Sequence, residues 1–157
     1  MGKDYAGDGI VVHWDASRCI HTGICTRGLP GVFDVRRRPW ISLDGALADE
    51  VQQVVQRCPT GALRCTRSDG GGQESGPAVV TIEPVPNGPL YVRGPVEVRA
   101  RDGSVVAEDR LALCRCGATA NPPFCDSAHR RVGYRSGDPV ARADADSPEQ
   151  ICPPQDF

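Results

Sequence analysis

Residues 114–129 read Cys-Arg-Cys-Gly-Ala-Thr-Ala-Asn-Pro-Pro-Phe-Cys-Asp-Ser-Ala-His. Three thiols and one imidazole fall in this short segment, and these are ligand types that hold zinc or iron–sulfur clusters. In an extended backbone Cys114 and Cys116 leave the same face, so both can reach one metal atom. Cys125 and His129 are four apart, and a helix starting near Asp126 would stack them within reach of a second metal atom. The stretch therefore reads as two half-sites. A structural zinc site is the competing reading, but zinc pairs usually keep two to four residues between cysteines, and Cys-x-Cys is tighter than that.

The segment resembles the CDGSH iron–sulfur family, whose pattern is Cys-x-Cys-x2-Ser/Thr-x3-Pro-x-Cys-Asp-Gly-Ser/Ala/Thr-His. Cys114, Cys116, Thr119, Pro123, Cys125, Asp126, Ala128 and His129 meet the fixed positions, and Ser127 stands where the family has glycine. The resemblance covers roughly Val79 to Tyr134 and implies a [2Fe-2S] cluster held by Cys114, Cys116, Cys125 and His129. A neutral imidazole in place of a thiolate leaves such a cluster less negative and raises its reduction potential. A proton also competes with iron for the ring nitrogen. The cluster is therefore expected to be lost on mild acidification sooner than one held by cysteine alone, and His129→Cys to reduce that sensitivity. Equal acid stability of the two proteins, followed by visible absorbance, would count against the ligand set.

Upstream, Cys19-Ile-His-Thr-Gly-Ile-Cys25 is a weak signal by itself. It gains weight from Cys58-Pro-Thr-Gly-Ala-Leu63, because Cys-Pro followed by a glycine turn and an apolar strand is how bacterial ferredoxins close a cluster site. Between them Leu47, Val51, Val54, Val55 and Cys58 draw one helical stripe, which predicts a helix over Ala48–Arg57. Asp49 and Glu50 suit its first turn, and Pro59 stops it. This half, about Ile10 to Thr66, resembles the single-cluster ferredoxin-like domains of the divergent 4Fe-4S type. That resemblance implies that Cys19, Cys25 and Cys58 hold a [3Fe-4S] cluster, or a [4Fe-4S] cluster whose fourth iron has a ligand other than cysteine. Thr22 stands where the second cysteine of a Cys-x2-Cys-x2-Cys loop would be. His21 is the nearby candidate for that iron, with a surface or sulfur-neighbouring role as the alternative. Cys65 reads as a small buried hydrophobe, with a displaced ligand as the alternative, and Cys152 as a non-ligand.

The remaining segments predict strands at Ile10–Trp14, Pro39–Ile41, Val79–Glu83, Leu90–Val92, Val96–Arg101, Ser104–Glu108 and Arg110–Leu113. Pro30–Asp34 reads as a turn into a packed segment, and His13 and Trp14 as packing or surface residues. Asp102-Gly103 is a hairpin turn signal. Ser68–Pro77, rich in glycine and serine, reads as a linker. The expected organisation is α+β: a small ferredoxin-like α/β domain over 1–67 and a linker over 68–78. A small antiparallel β domain of CDGSH type with a cluster-binding loop and short helix follows over 79–134, then a loosely ordered tail over 135–157.

Composition bounds the rest. Aromatic residues make up only 5% of the chain, beside 18 glycines, 14 prolines and 8 cysteines, so metal sites are expected to supplement a modest core. The start, Met-Gly-Lys-Asp-Tyr, has no apolar signal core, which favours a reducing, cytoplasmic setting over disulfides. Ala6 stands where a myristoylation signal wants serine or threonine. No apolar run is long enough to span a membrane. A net charge of -2, with neither half a polycation, argues against nucleic acid. The basic run Arg36–Arg38 reads as a solvated loop or a docking patch for an acidic partner. No nucleophile triad, phosphate loop or carboxylate pair is evident, so an electron carrier rather than an enzyme is expected, with a redox protein as partner. The alternatives are cluster transfer to an apo acceptor or redox sensing, and a zinc-stapled interaction module. Monomer and homodimer both remain open.

Overall fold

The computed structural model describes residues 2–99 and 103–137. Its first sheet is antiparallel, in the order β1 (Lys3–Gly7), β2 (Ile10–Trp14), β3 (Leu63–Arg67). Alternation places Ile10 and Val12 of β2 and Leu63 and Cys65 of β3 on the buried face, as period-2 patterning requires. β1 was not expected: it is polar and largely exposed, and it pairs with β2 because Asp8-Gly9 turns the chain between Gly7 and Ile10. Helix α2 (Ala48–Gln56) covers this sheet with Val51, Val54 and Val55. Leu47 departs from the expected stripe. It precedes the helix as its extended N-cap and is 66% exposed. Phe33 and Ile41 complete the core, joined by a single bridge, so the strand expected at Pro39–Ile41 shrinks to one pairing.

The second sheet is β4 (Thr81–Pro84), β5 (Leu90–Arg99), β6 (Val105–Leu113), again antiparallel. Two pairs of expected strands merge here. β5 runs through Gly94-Pro95 with a register shift between Arg93 and Val96, and β6 runs from Val105 to Leu113 without a break. A bulge absorbs residues that looked like a strand boundary. Of the hairpin signal, Asp102 lies outside the described residues, as do 138–157 with Cys152.

The two halves meet over polar contacts. Glu108 of β6 is buried and accepts from Arg18 Nη1 at 2.7 Å and from Arg64. Arg110 of β6 donates to the carbonyls of Val55 and Leu63 at 2.7 and 3.2 Å and pairs with Glu74. Residues 71–77 form no regular element, but they are pinned along β3. Glu74 accepts from the Cys65 amide at 3.0 Å, and Gln73 both accepts from and donates to the Arg67 backbone, at 3.0 and 2.9 Å. These side chains occupy an edge that would otherwise present free strand groups.

Candidate metal centres

The first ligand loop leaves β2 through a 3-10 turn, Ala16–Arg18, whose preceding residue Asp15 accepts from the Ser17 amide. Cys19 follows, and Cys25 stands in the short helix α1 (Ile24–Gly28), which starts at Gly23 in the left-handed region. Cys58 stands just past α2, the position to which the helical stripe was expected to carry it. All three thiols are free and partly buried, and they line one cavity of about 780 Å³. Burial pushes the Cys19 and Cys25 thiols above their ordinary range, and the Cys58 thiol adds to both. Mutual repulsion of this kind means that the three groups share one environment, which a bound cation would relieve.

Two tryptophans complete that cavity. Trp14 and Trp40 stand edge to face with centroids 5.1 Å apart, and both line it. Their indole nitrogens are buried without an acceptor among the described residues. Trp14 lies close enough to Cys19 to favour its thiolate, though no hydrogen bond is formed. An unpaired buried N–H costs about 1–3 kcal/mol. Two at the wall of one thiol-lined cavity fit a sulfur-rich, anionic occupant. Nothing in the sequence distinguished these tryptophans from packing residues. His21 is exposed, with Nδ1 3.8 Å from Cys19 Sγ, and Cys65 is buried in the core of β3, its thiol raised to about 11 chiefly by burial.

The second site begins where β6 ends. Cys114 and Cys116 Sγ are 3.6 Å apart; two thiolates on one tetrahedral metal at Zn-like bond lengths would lie about 3.8 Å apart. Burial raises the Cys114 thiol, but the Cys116 side chain and the backbone N–H groups of Gly117, Thr119 and Cys116 more than offset this and leave it lowered. The loop then folds back. Cys114 N donates to Pro123 O at 2.9 Å and Cys125 N to Ala112 O at 2.8 Å, which brings the second ligand pair beside the first. Thr119 braces the turn, donating to Phe124 O at 2.7 Å. Asp126 accepts from the amides of Ala120 and Ala128, both at 2.9 Å, which keeps its carboxyl below the usual range. It thus braces the turn that leads through Ser127 into the short helix α3 (Ala128–Arg131), which carries His129. Cys125 Sγ and His129 Nδ1 are 3.4 Å apart, against about 3.5 Å for a thiolate and an imidazole on one tetrahedral metal. Burial, then Arg130, lowers the His129 pKa, which favours the neutral imidazole that metals require. Ser127 adopts φ 75, the left-handed backbone that suits glycine.

No group of three or more His, Cys, Asp or Glu side chains converges on a single ion among the described residues. One site presents two separate two-ligand pairs, and the other spreads three thiols around a cavity.

The fold and donor groups define a protein with two cysteine-rich metal-binding units in one chain. Residues 5–68 match the family described as divergent 4Fe-4S mono-cluster, and residues 87–130 the family described as iron-binding zinc finger CDGSH type. The chain is 38% identical over 60 residues to the "Uncharacterized protein YjdI" of Escherichia coli strain K12, and equally to that of strain O157:H7. The match spans 38% of this chain and 79% of each relative. The chain belongs to the divergent 4Fe-4S mono-cluster family through its N-terminal half, fused to a C-terminal iron-binding domain of the CDGSH type. Both are metal- or cluster-binding modules rather than catalytic ones. No helix among the described residues is long and apolar enough to cross a membrane.

Proposed function

We propose that the protein carries electrons on two iron–sulfur clusters. Cys114, Cys116, Cys125 and His129 hold a [2Fe-2S] cluster, and Cys19, Cys25 and Cys58 hold a [3Fe-4S] or [4Fe-4S] cluster. The division into units at 1–67 and 79–134, joined by 68–78, belongs to the same reading. The observation that carries it is the donor geometry: two ligand pairs with the bite of one metal each, and three thiols facing one cavity with two unpaired indole N–H groups. When bound, iron–sulfur clusters supply one-electron transfer. The chain's residues do the rest. The thiols hold the iron, Asp126 and Thr119 fix the second loop, and the tryptophans exclude water and offer N–H groups to sulfur.

The test is an EPR spectrum of anaerobically purified protein before and after reduction. A binuclear signal that appears on reduction, beside a second centre of three or four irons, is expected. A single centre, or none, would overturn the reading. Cluster transfer to an apo acceptor, or sensing, is favoured by one observation. His129 is only half-buried and lines an open cavity of about 300 Å³, so one ligand of the binuclear site is reachable from solvent. Movement of iron and sulfide to an apo acceptor faster than reversible reduction cycles would select that alternative.

A further inference from the structure

The one departure from the CDGSH pattern has a structural partner. Ser127 keeps the backbone of the glycine it replaces, and its Oγ donates to the carbonyl of Ile20 at 3.2 Å. A glycine there would adopt the same turn with no hydroxyl to offer. Ile20 follows Cys19 directly. It is buried, packing against Ala112 and Cys125 with Tyr91 alongside. It also lines both cavities, the one holding Cys19, Cys25 and Cys58 and the one bordered by His129. One side chain thus forms a wall common to the two sites.

Neighbouring contacts repeat the arrangement. Asn121 Nδ2 donates to the Ser17 carbonyl at 3.1 Å, and the Arg18 guanidinium lies over the Phe124 ring, 4.4 Å from its centroid. Residues flanking Cys19 therefore meet residues flanking Cys125.

We propose that Ser127 and Ile20 are positioning residues that clasp the two ligand loops together, so that the two centres form one closely spaced pair rather than two independent modules. This rests on the two-cluster reading above. The connection is continuous: from Cys19 through one peptide to Ile20, across the hydrogen bond to Ser127, and along the backbone through Asp126 to Cys125. A buried Ile20 side chain, with a part-buried hydrogen bond from Ser127 to its carbonyl, holds a separation that a flexible tether would not.

The experiment is EPR power saturation of the binuclear signal in the full chain, fully reduced with dithionite so that both centres are paramagnetic. The comparison is with Cys58→Ser, which weakens the N-terminal site. Faster relaxation or splitting of the binuclear signal in the native chain, lost in Cys58→Ser, is expected. Identical saturation in both proteins would overturn the proposal. Because Cys58→Ser also perturbs the N-terminal fold, a second variant keeps every ligand. Ser127→Gly combined with Asn121→Ala removes the hydrogen bonds to the Ile20 and Ser17 carbonyls. It is expected to retain the full iron and sulfide content while losing part of the relaxation enhancement. Unchanged enhancement in that variant would overturn the role assigned to the clasp. Absence of any iron–sulfur signal would instead remove the two-cluster reading, and this inference with it.

Discussion

Trp14 and Trp40, which line the cavity of Cys19, Cys25 and Cys58, are the single residues through which the proposed N-terminal centre is best tested. Their unpaired N–H groups weaken the empty protein and serve it only when an acceptor is present. Trp14→Phe is therefore expected to leave the apo protein as stable or up to about 1 kcal/mol more stable, while lowering the reduction potential of the N-terminal centre. Thermal unfolding of apo protein and a redox titration of loaded protein check the two halves of that statement. A less stable apo protein with an unchanged potential would contradict it. Cys65 makes the opposite case. It is buried within β3 and faces the core. Cys65→Ser is expected to cost about 1–3 kcal/mol, because a hydroxyl is buried there, and to leave the iron content unaltered; loss of iron would mark it as a ligand. The thiols and His129 stand out in the sequence as candidate ligands because ligand chemistry limits the residue types and the spacings. The tryptophans were not, since an indole that lines a ligand cavity and one that packs a core share one composition.

At the scale of elements, helix α2 was readable from its apolar period and its closing Cys-Pro, and the structure places Val51, Val54 and Val55 against the sheet. Val55 is fully buried, and its carbonyl accepts from the Cys58 amide at 3.0 Å. Val55→Ala is expected to cost about 1–3 kcal/mol in chemical denaturation, with weaker retention of the N-terminal centre. Strand β1 was missed because its residues are polar. Its pairing comes from the Asp8-Gly9 turn and from β2 beside it, not from its own propensity. The glycine- and serine-rich stretch after β3 reads as a linker, and Arg67 anchors its first residues. Buried Arg67 pairs with Asp69 at 2.5 Å and with Asp49 at 2.6 Å. Hydrogen bonds from Arg67, then from the Gly71 amide, hold the Asp69 carboxyl at about 2. A folded value below the unfolded one, about 3.9, contributes stability above the unfolded value that is lost as pH falls from about 4 toward 2. Asp69→Asn is expected to flatten the acid limb of the stability profile across that window; an unchanged limb would contradict the pairing.

Across the whole molecule, the two units are fastened by charges that one sequence cannot pair, because Arg18 and Glu108 are 90 residues apart. The buried Glu108 carboxylate answers two arginines from the other half. Gly61 lets β6 approach closely, since a Cβ there would lie 2.6 Å from the Arg110 carbonyl oxygen. Breaking a buried pair from one side leaves its partner uncompensated. Glu108→Gln is therefore expected to cost about 3 kcal/mol or more in chemical denaturation; an unchanged midpoint would contradict the pairing. The division into two metal-binding units was legible in the motifs, whereas their contact was not, because the arginines involved carry no spacing signature. Everything proposed for the chain depends on both units holding iron with inorganic sulfide. The direct measurement is the iron, zinc and acid-labile sulfide content of freshly isolated, anaerobic protein. About five or six iron and about six sulfide ions per chain are predicted, whereas colourless protein carrying zinc and no sulfide would contradict the account.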